Sequence, residues 1–273
     1  MSMQSGGRVI IKLVGGLITD KRTYKTADIA AIRGCAAAVE ELISAGKSVV
    51  LVHGAGSFGH TLSQRWRLSE GRCAVTPDEG DSIMNQDEAI SQVRQDMLEL
   101  SRLLVTEFKS SGLAIALHPP NEWVTGTGPG FNGELDRFIT DTETIQMTFG
   151  DVVQCDPPEE FGILSGDDLM VRLATEMFRF DSCIFALGGV DGLLSSPPGR
   201  ADSKLLPEWS PTDSFTGLHE SRIDVTGGIQ LKVDRAAKIA GTVERVWLVD
   251  GMFPDRIVTA GLNGLPVGTR ILA

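Results

Sequence analysis

A chain of 273 residues, 42% apolar and 22% charged, is long enough to bury a full core as one large α/β domain or two lobes. Its formal net charge of −11 offers no basic footprint to nucleic acid or an anionic membrane surface, so any anion site has to be local. The four cysteines, Cys35, Cys73, Cys155 and Cys183, are far apart and form no Cys-x-x-Cys pair, which argues against zinc and a disulfide framework and fits a reducing cytoplasm.

Residues 1–7 read as a short polar lead-in, expected to be disordered, and no apolar run approaches the roughly 20 residues of a membrane span. Val9 to Leu13 predicts a short strand with Lys12 near its end and Gly15 and Gly16 behind it. Asp28 to Ala45 predicts a helix, with Ile32, Val39, Leu42 and Ile43 on one side and Gly46 as terminator. Ser48 to Val52 is the next strand, and it runs into His53-Gly54-Ala55-Gly56-Ser57-Phe58-Gly59-His60. The three glycines let backbone N–H groups converge on an anion, and the segment from Thr61 is expected to place a helix N-terminus behind them. His60 then sits where it can touch what the loop holds.

From Gln86 to Ser110, Ile90, Val93, Met97, Leu100, Leu104 and Phe108 recur at steps of three or four, predicting a long amphipathic helix that Gly112 stops. Leu113 to Leu117 reads as a strand, broken by Pro119 and Pro120. Asn121 to Asn132, with three glycines and a proline, reads as a loop able to cover a site. Asp151 to Leu164 has the pattern of a hairpin around Asp156-Pro157-Pro158. Then come a helix over Asp167 to Phe178, a buried strand over Cys183 to Leu187 and a proline-rich loop over Ser195 to Ser214. Gly228 to Ala240 predicts a helix, Arg245 to Val249 a strand, and Thr269 to Leu272 a final edge strand. This alternation predicts a mainly parallel sheet with helices on both faces and ligands at the carboxyl ends of its strands.

An unpaired ammonium at the end of an apolar strand is costly unless it faces an opening that holds negative charge, so Lys12 is either a snorkelling lysine or a ligand-binding one. In Ser165-Gly166-Asp167-Asp168, one carboxylate suffices to complement a helix start, leaving the other for lysines or a metal. Asp224-Val225-Thr226-Gly227-Gly228 precedes a helix bearing Lys232 and makes a second anion site. Two glycine cradles with separate lysines in an acidic protein suggest two phosphates brought together.

Lys12-Leu13 with Gly15, Thr19-Asp20-Lys21, the histidine loop ending in His60, Gly150-Asp151, Ser165 to Asp168, Asp191-Gly192 and Asp224 to Gly228 with Lys232 occur in one order along the chain. Together with a closing Gly268-Thr269-x-Ile271, they resemble the isopentenyl phosphate kinases of the amino acid kinase superfamily over essentially the whole length. The resemblance implies an open αβα sandwich, a single amino acid kinase domain with a phosphate-acceptor lobe over about residues 8–160 and a nucleotide lobe over about residues 161–273. It implies that His60 bonds the acceptor phosphate, that Lys12 bridges the phosphates in transfer, that Lys21 and Lys232 bind further phosphate, and that Asp167 orients the lysines. Ala55, Gly59, Gly150 and Leu103 fall on the acceptor side, the last on a helix whose Leu100, Leu103 and Leu104 would line an apolar tail or serve simply as core. Gly15, Gly16, Gly56, Asp191 and Gly228 fall on the nucleotide side with Lys12 and Lys232.

The implied activity is ATP-dependent phosphorylation of isopentenyl phosphate to isopentenyl diphosphate by a homodimer, with Mg²⁺ accompanying ATP and no metal-holding residue assigned. Two other readings stay open on the residues. One is a kinase for another small phosphate or phosphonate such as fosfomycin, and the other is a metabolite-sensing module of the same fold without turnover. The chain departs from the family pattern at Val14, where a glycine is usual, at Gly188-Gly189, where Thr-Asp is usual, and at Phe149, where a polar or aromatic hydroxyl or imidazole side chain is usual.

Overall fold

The computed structural model describes residues 6–20, 22–139, 144–177, 179–213 and 228–273. Residues 1–5 of the lead-in, Lys21, Phe178 and the Asp224-Val225-Thr226-Gly227 turn lie outside the described residues. Strand β1 (Arg8–Leu13) leads into the single turn α1 (Gly15–Ile18) and then α2 (Ile29–Ser44), whose N-cap Asp28 accepts the Ala31 N–H at 2.9 Å. Strand β2 (Ser48–His53) runs almost directly into α3 (Gly56–Arg65), and α4 (Gln86–Ser110) starts at an Asn85 cap. Next come β3 (Ala114–Leu117), β4 (Thr144–Phe149), the antiparallel hairpin β5 (Asp151–Gln154) and β6 (Phe161–Leu164), and α5 (Gly166–Glu176). The chain finishes with β7 (Ser182–Leu187), β8 (Glu208–Trp209), α6 (Gly228–Ala240), β9 (Arg245–Asp250), α7 (Pro254–Gly261) and β10 (Gly268–Ile271).

An eight-stranded sheet runs in the order β3-β4-β2-β1-β7-β9-β10-β8, parallel from β3 through β9, with β10 antiparallel to β9. Successive connections leave β1 toward β2 and leave β7 toward β9, so the winding reverses between β1 and β7. That reversal opens a crevice at the carboxyl ends of the central strands. One face of the sheet packs on α2, α3, α4 and α7 through residues such as Ile32, Phe58, Met97 and Ile257; the other packs on α5 and α6 through Leu169, Leu173, Val233 and Ala236.

Strand alternation then assigns the polar residues to layers. Val9, Ile11 and Leu13 belong to the first core and Ile10 to the second, so Lys12 shares the α5–α6 face. On β2, Leu51 belongs to the first core and Val52 to the second, so His53 faces α4.

The hairpin, the bounds of α4 and the αβα layering agree with the sequence pattern, and other elements correct it. The helix expected from Thr61 begins at Gly56, because Ala55 already has helical dihedrals, so Gly59 and His60 ride on the helix. The predicted elements omit β4 and α7, although α7 carries Pro254 at its first turn. Strand β10 is not the sheet edge: Arg270 N–H donates to Pro207 O at 2.8 Å and Leu272 N–H to Trp209 O at 2.9 Å, recruiting β8 from the proline-rich loop to cover it. The loop expected to cover the site instead lies along the hairpin, where Gly126 N–H donates to Gln154 O at 2.7 Å.

The turns after β1 and β2 meet backbone to backbone. A Cβ on Gly15 would fall 2.3 Å from Gly56 N, and one on Gly54 would fall 2.6 Å from Gly15 N. Gly15→Ala is therefore expected to destabilise the protein by about 1–3 kcal/mol through overpacking. Thermal melting checks this, with a fall of about 2–4 °C expected per kcal/mol for a chain of this size; an unchanged Tm would show that the two turns can separate at no cost.

Candidate active site

Three elements distant in sequence meet at Asp167, the second residue of α5. Lys12 Nζ, from β1, lies 2.6 Å from Asp167 Oδ1, and Lys232 Nζ, one turn into α6, lies 3.1 Å from both carboxylate oxygens. All three side chains are buried. Burial alone would raise the Asp167 carboxyl, but the Lys12 and Lys232 charges and their hydrogen bonds outweigh it and hold it down at about 2. Two ammonium groups thus share one carboxylate, and the three-group cluster carries net positive charge. Ser165 caps α5, its Oγ accepting the Asp168 N–H at 3.0 Å and donating to Asp168 Oδ2 at 2.7 Å. Asp168 also takes Arg235 Nε at 2.7 Å, so the two adjacent carboxylates grip α6 at positions three apart.

Above this cluster, at the carboxyl ends of β1 and β2, is a cavity whose lining is of two kinds. Lys12, Gly15, Gly16, Gly54, Ala55, Gly59, His60, Gly150, Asp167 and Lys232 line it, and Val93, Met97, Val152, Ile163 and Leu164 give it an apolar wall. The cluster and the glycine turns suit an anion, while the wall suits a hydrocarbon. Asp151 also lines it and is nearly fully buried; Oδ1 accepts the Val152 N–H at 2.8 Å, while Oδ2 has no partner among the described residues. Burial pushes this carboxyl up to about 6, against the opposing pull of the Val152 N–H and Arg94.

Of the residues singled out from the sequence, Lys12, Gly15, Gly16, Ala55, Gly59, His60, Gly150, Asp167 and Lys232 come together here. Four do not. Leu103 is off the cavity, partly buried against the first core, while Leu100 and Leu104 are wholly buried in it. The apolar stripe of α4 meets the cavity earlier, at Val93 and Met97, a displacement that helical periodicity alone cannot reveal. Gly56 serves close packing: its φ is +52°, and a Cβ there would fall 2.0 Å from Thr19 Oγ1. Asp191 pairs with Arg256 at 2.5 Å, and Gly228 opens α6 with φ +62°. Lys21 lies outside the described residues.

The departures have local reasons. Val14 has an ordinary extended backbone, φ −66° and ψ 140°, donates its N–H to Ala186 O at 3.0 Å and lines the cavity, so nothing in its conformation requires glycine. A Cβ on Gly188 would fall 2.2 Å from Gly16 O, and Gly189, at φ +72°, donates its N–H to Asp250 Oδ1 at 3.0 Å. Phe149 stacks on His53 with ring centroids 5.0 Å apart. His53 is fully buried, and burial lowers its imidazole to about 4. Its Nδ1 lies 3.1 Å from Gly54 O and its Nε2 2.9 Å from Ser101 Oγ. In a neutral ring Nδ1–H donates to Gly54 O, and the single proton of the Ser101 hydroxyl is then shared between His53 Nε2 and Met97 O, which lies 2.8 Å from Oγ. Of the two histidines, His53 therefore braces β2 against α4, and His60 is the one that lines the cavity.

A doubly wound αβα sandwich that gathers lysines, glycine turns and a histidine at its switch point belongs to the class of proteins that handle phosphorylated ligands. Residues 7–250 match the amino acid kinase family, and the chain belongs to that family. Within it, the chain groups with the isopentenyl phosphate kinases. It is 31% identical to the isopentenyl phosphate kinase of Thermoplasma acidophilum over 96% of this chain and 99% of that protein, and 24% identical to that of Methanocaldococcus jannaschii over 84% and 86%. Among solved structures, an isopentenyl phosphate kinase substrate complex superposes with a TM-score of 0.76 at 27% identity, covering 97% of this chain and 99% of that one.

Two shifted groups, His53 behind the cavity and Asp151 in its lining, have opposite effects on stability. His53, lowered from 6.5 to about 4, takes its proton more readily in the unfolded chain, so its contribution is present above pH 6.5 and lost as pH falls toward 4. Asp151, raised from 3.8 to about 6, holds its proton more readily when folded, so its contribution is present below pH 3.8 and lost as pH rises toward 6. Between these limits the slopes oppose, each at most about 1.4 kcal/mol per pH unit. Denaturant titrations across pH 4 to 6 should show His53→Gln gaining stability on acidification and Asp151→Asn losing it, each relative to the parent slope. Parallel profiles for the two variants would contradict the assignment.

Proposed function

We infer that the protein transfers the γ-phosphoryl group of ATP to isopentenyl phosphate, forming isopentenyl diphosphate and ADP. The observation that carries this reading is the pairing of Lys12 and Lys232 on one buried carboxylate in a cavity that is also lined by apolar side chains. The named activity of the relatives in this family agrees with it.

In this reading an oxygen of the acceptor phosphate attacks the γ-phosphorus in line, and the bond to the β–γ bridging oxygen breaks. A phosphate dianion is already a nucleophile, so no side chain has to remove a proton. The difficulty is repulsion between the two anions, and the protein answers it with fixed cations and donors. His60 donates to the acceptor phosphate. Lys12, at the junction of the glycine turns, reaches the phosphates from β1, and Lys232 reaches them from the nucleotide side. Asp167 orients both ammonium groups, and its own charge is held by them. Ala55, Gly59 and Gly150 shape the acceptor's phosphate end, while Gly15 and Gly16 shape the nucleotide's.

Asp167 and Asp168 are engaged by Lys12, Lys232 and Arg235, so Mg²⁺ would be held chiefly by the nucleotide's own phosphates, where it neutralises charge. The assembly proposed is a homodimer in a reducing cytoplasm, supported by the family resemblance and by cysteines that are all unbridged.

The apolar wall of Val93, Met97, Val152 and Ile163 leads to the expectation that isopentenyl phosphate is a better acceptor than fosfomycin. Comparing kcat/KM for the two with ATP and Mg²⁺ tests it, and a preference for fosfomycin, or turnover of no alkyl phosphate, would overturn the reading.

His60→Ala is expected to lower kcat by about 10² to 10³, the effect of removing one preorganised donor. Lys12→Met and Lys232→Met should each depress kcat more than they raise the acceptor KM, because their charge matters most as negative charge is redistributed in transfer. Melting curves for each variant separate chemistry from folding. Unchanged kcat in both lysine variants would overturn their assignment to the transferring phosphates, whereas absence of ATP turnover by the parent would favour a sensing module.

A further inference from the structure

Between α1 and α2 the chain forms a strap that touches both helices flanking the cavity, and none of its described residues lines the cavity. Thr19 and Ala27 close the strap with an antiparallel bridge, Asp20 N–H donating to Thr26 O at 2.9 Å and Asp28 N–H to Ile18 O at 2.9 Å. On one side it grips α3 at Ser57: Ser57 N–H donates to Thr19 Oγ1 at 3.0 Å, Thr26 N–H to Ser57 Oγ at 3.2 Å, and Lys25 N–H to Ser57 O at 3.3 Å. On the other side it reaches α4 at Asp96, which is fully buried. Tyr24 OH donates to Asp96 Oδ2 at 2.5 Å; Lys25 Nζ lies 3.0 Å from Oδ1, which also accepts Gln92 Nε2 at 2.8 Å. Lys25 Nζ reaches Glu99 as well, at 2.5 Å.

Two features show that this anchorage is specific. Lys25 sits at φ +52°, a left-handed conformation that non-glycine residues seldom adopt, and its main chain and side chain hold opposite helices from that position. Asp96, a charged residue, occupies a wholly buried place on α4, where burial without partners would be costly; the strap supplies the hydroxyl and the ammonium that satisfy it. The gripped residues neighbour the cavity lining. Ser57 is one helical turn before His60, and Asp96 directly precedes Met97 and follows Val93 by three.

We propose that Asp96 is a positioning residue for the acceptor site: by holding Tyr24 and Lys25 it fixes the strap between α3 and α4, and so sets the distance between His60 and the Val93–Met97 wall. An acceptor that binds its phosphate at one helix and its tail against the other needs that distance fixed before it arrives. Loosening the strap leaves the Lys12–Asp167–Lys232 cluster, on the opposite face of the sheet, in place. The effect therefore falls on the acceptor, through its binding and the placing of His60 against its phosphate, and not on the nucleotide. The inference rests on reading the cavity as the acceptor site.

Steady-state kinetics and calorimetric titration with isopentenyl phosphate test it on Tyr24→Phe, Asp96→Asn and their combination. Glu107→Gln, which removes the Arg33 ion pair elsewhere on α4, serves as control. Each single variant should raise the acceptor KM and Kd about three- to tenfold, the scale of one lost hydrogen bond. ATP KM should stay within about twofold, and the double variant should fall short of the product of the singles because the two groups share a contact. The control should not move. An unchanged acceptor KM in Tyr24→Phe and Asp96→Asn, with or without a lower Tm, or equal losses toward both substrates, would make the strap a brace for the fold alone and overturn the proposal. Should the parent protein neither bind nor phosphorylate any alkyl phosphate, the functional reading fails and the inference falls with it; parent activity thus distinguishes the two failures.

Discussion

A carboxylate enclosed by protein must find cations or take up a proton, and Asp167 finds Lys12 and Lys232. The rest of the site follows from that demand. Lys12 can arrive only from the α5–α6 face of β1, which fixes the register of its strand. Lys232 can arrive only if α6 packs against α5, an alignment that Asp168 and Arg235 reinforce. Buried ion pairs contribute little net stability, since desolvation takes back most of what the charges give. What they provide here is orientation: two ammonium groups held where phosphates are to be brought together, with little left to reorganise during transfer.

The glycines have a double character. In the sequence they look like a phosphate cradle, and several do line the cavity. Yet Gly15, Gly54 and Gly56 are also required because two strand-to-helix turns approach closer than any side chain allows, and Gly59 lets α3 close on Met97, where a Cβ would fall 3.2 Å from its sulfur. Packing and ligand approach make the same demand at these positions, so neither excludes the other. The same logic explains Gly188, where a Cβ would meet Gly16 O, while Gly189 answers a backbone demand instead, its φ of +72° with open space at the Cβ position.

Much of the fold was legible because its signals are local. The stripe of α4 and its Asn85 cap set the limits of that helix, and the prolines between β5 and β6 marked a hairpin. Strand β4 was legible as well: Thr144 to Phe149 alternates strictly between polar and apolar residues, the period-2 signal of a strand, although the folded strand is covered on both sides. At the site, the polar residues were legible since a lysine closing an apolar strand, or a glycine loop with a histidine at each end, is unusual in any fold. The apolar wall was not: Val93, Met97 and Leu100 lie on one continuous stripe, and only the placement of the hairpin strands decides which of them meets the cavity. Asp96 was equally hidden, because its partners Tyr24 and Lys25 are more than seventy residues away and no spacing rule connects them.

The sheet separates two kinds of work. Lys12, Asp167 and Lys232 stand on the layer of α5 and α6, whereas His53, Ser101, Val93 and Met97 stand on the layer of α4. Such a division makes the protein modular in the evolutionary sense. Residues that judge the shape of the acceptor can drift under selection for a new substrate while the charged machinery stays untouched, because the β-sheet insulates one set of mutations from the other. A fold arranged this way can acquire new acceptors without first losing the reaction.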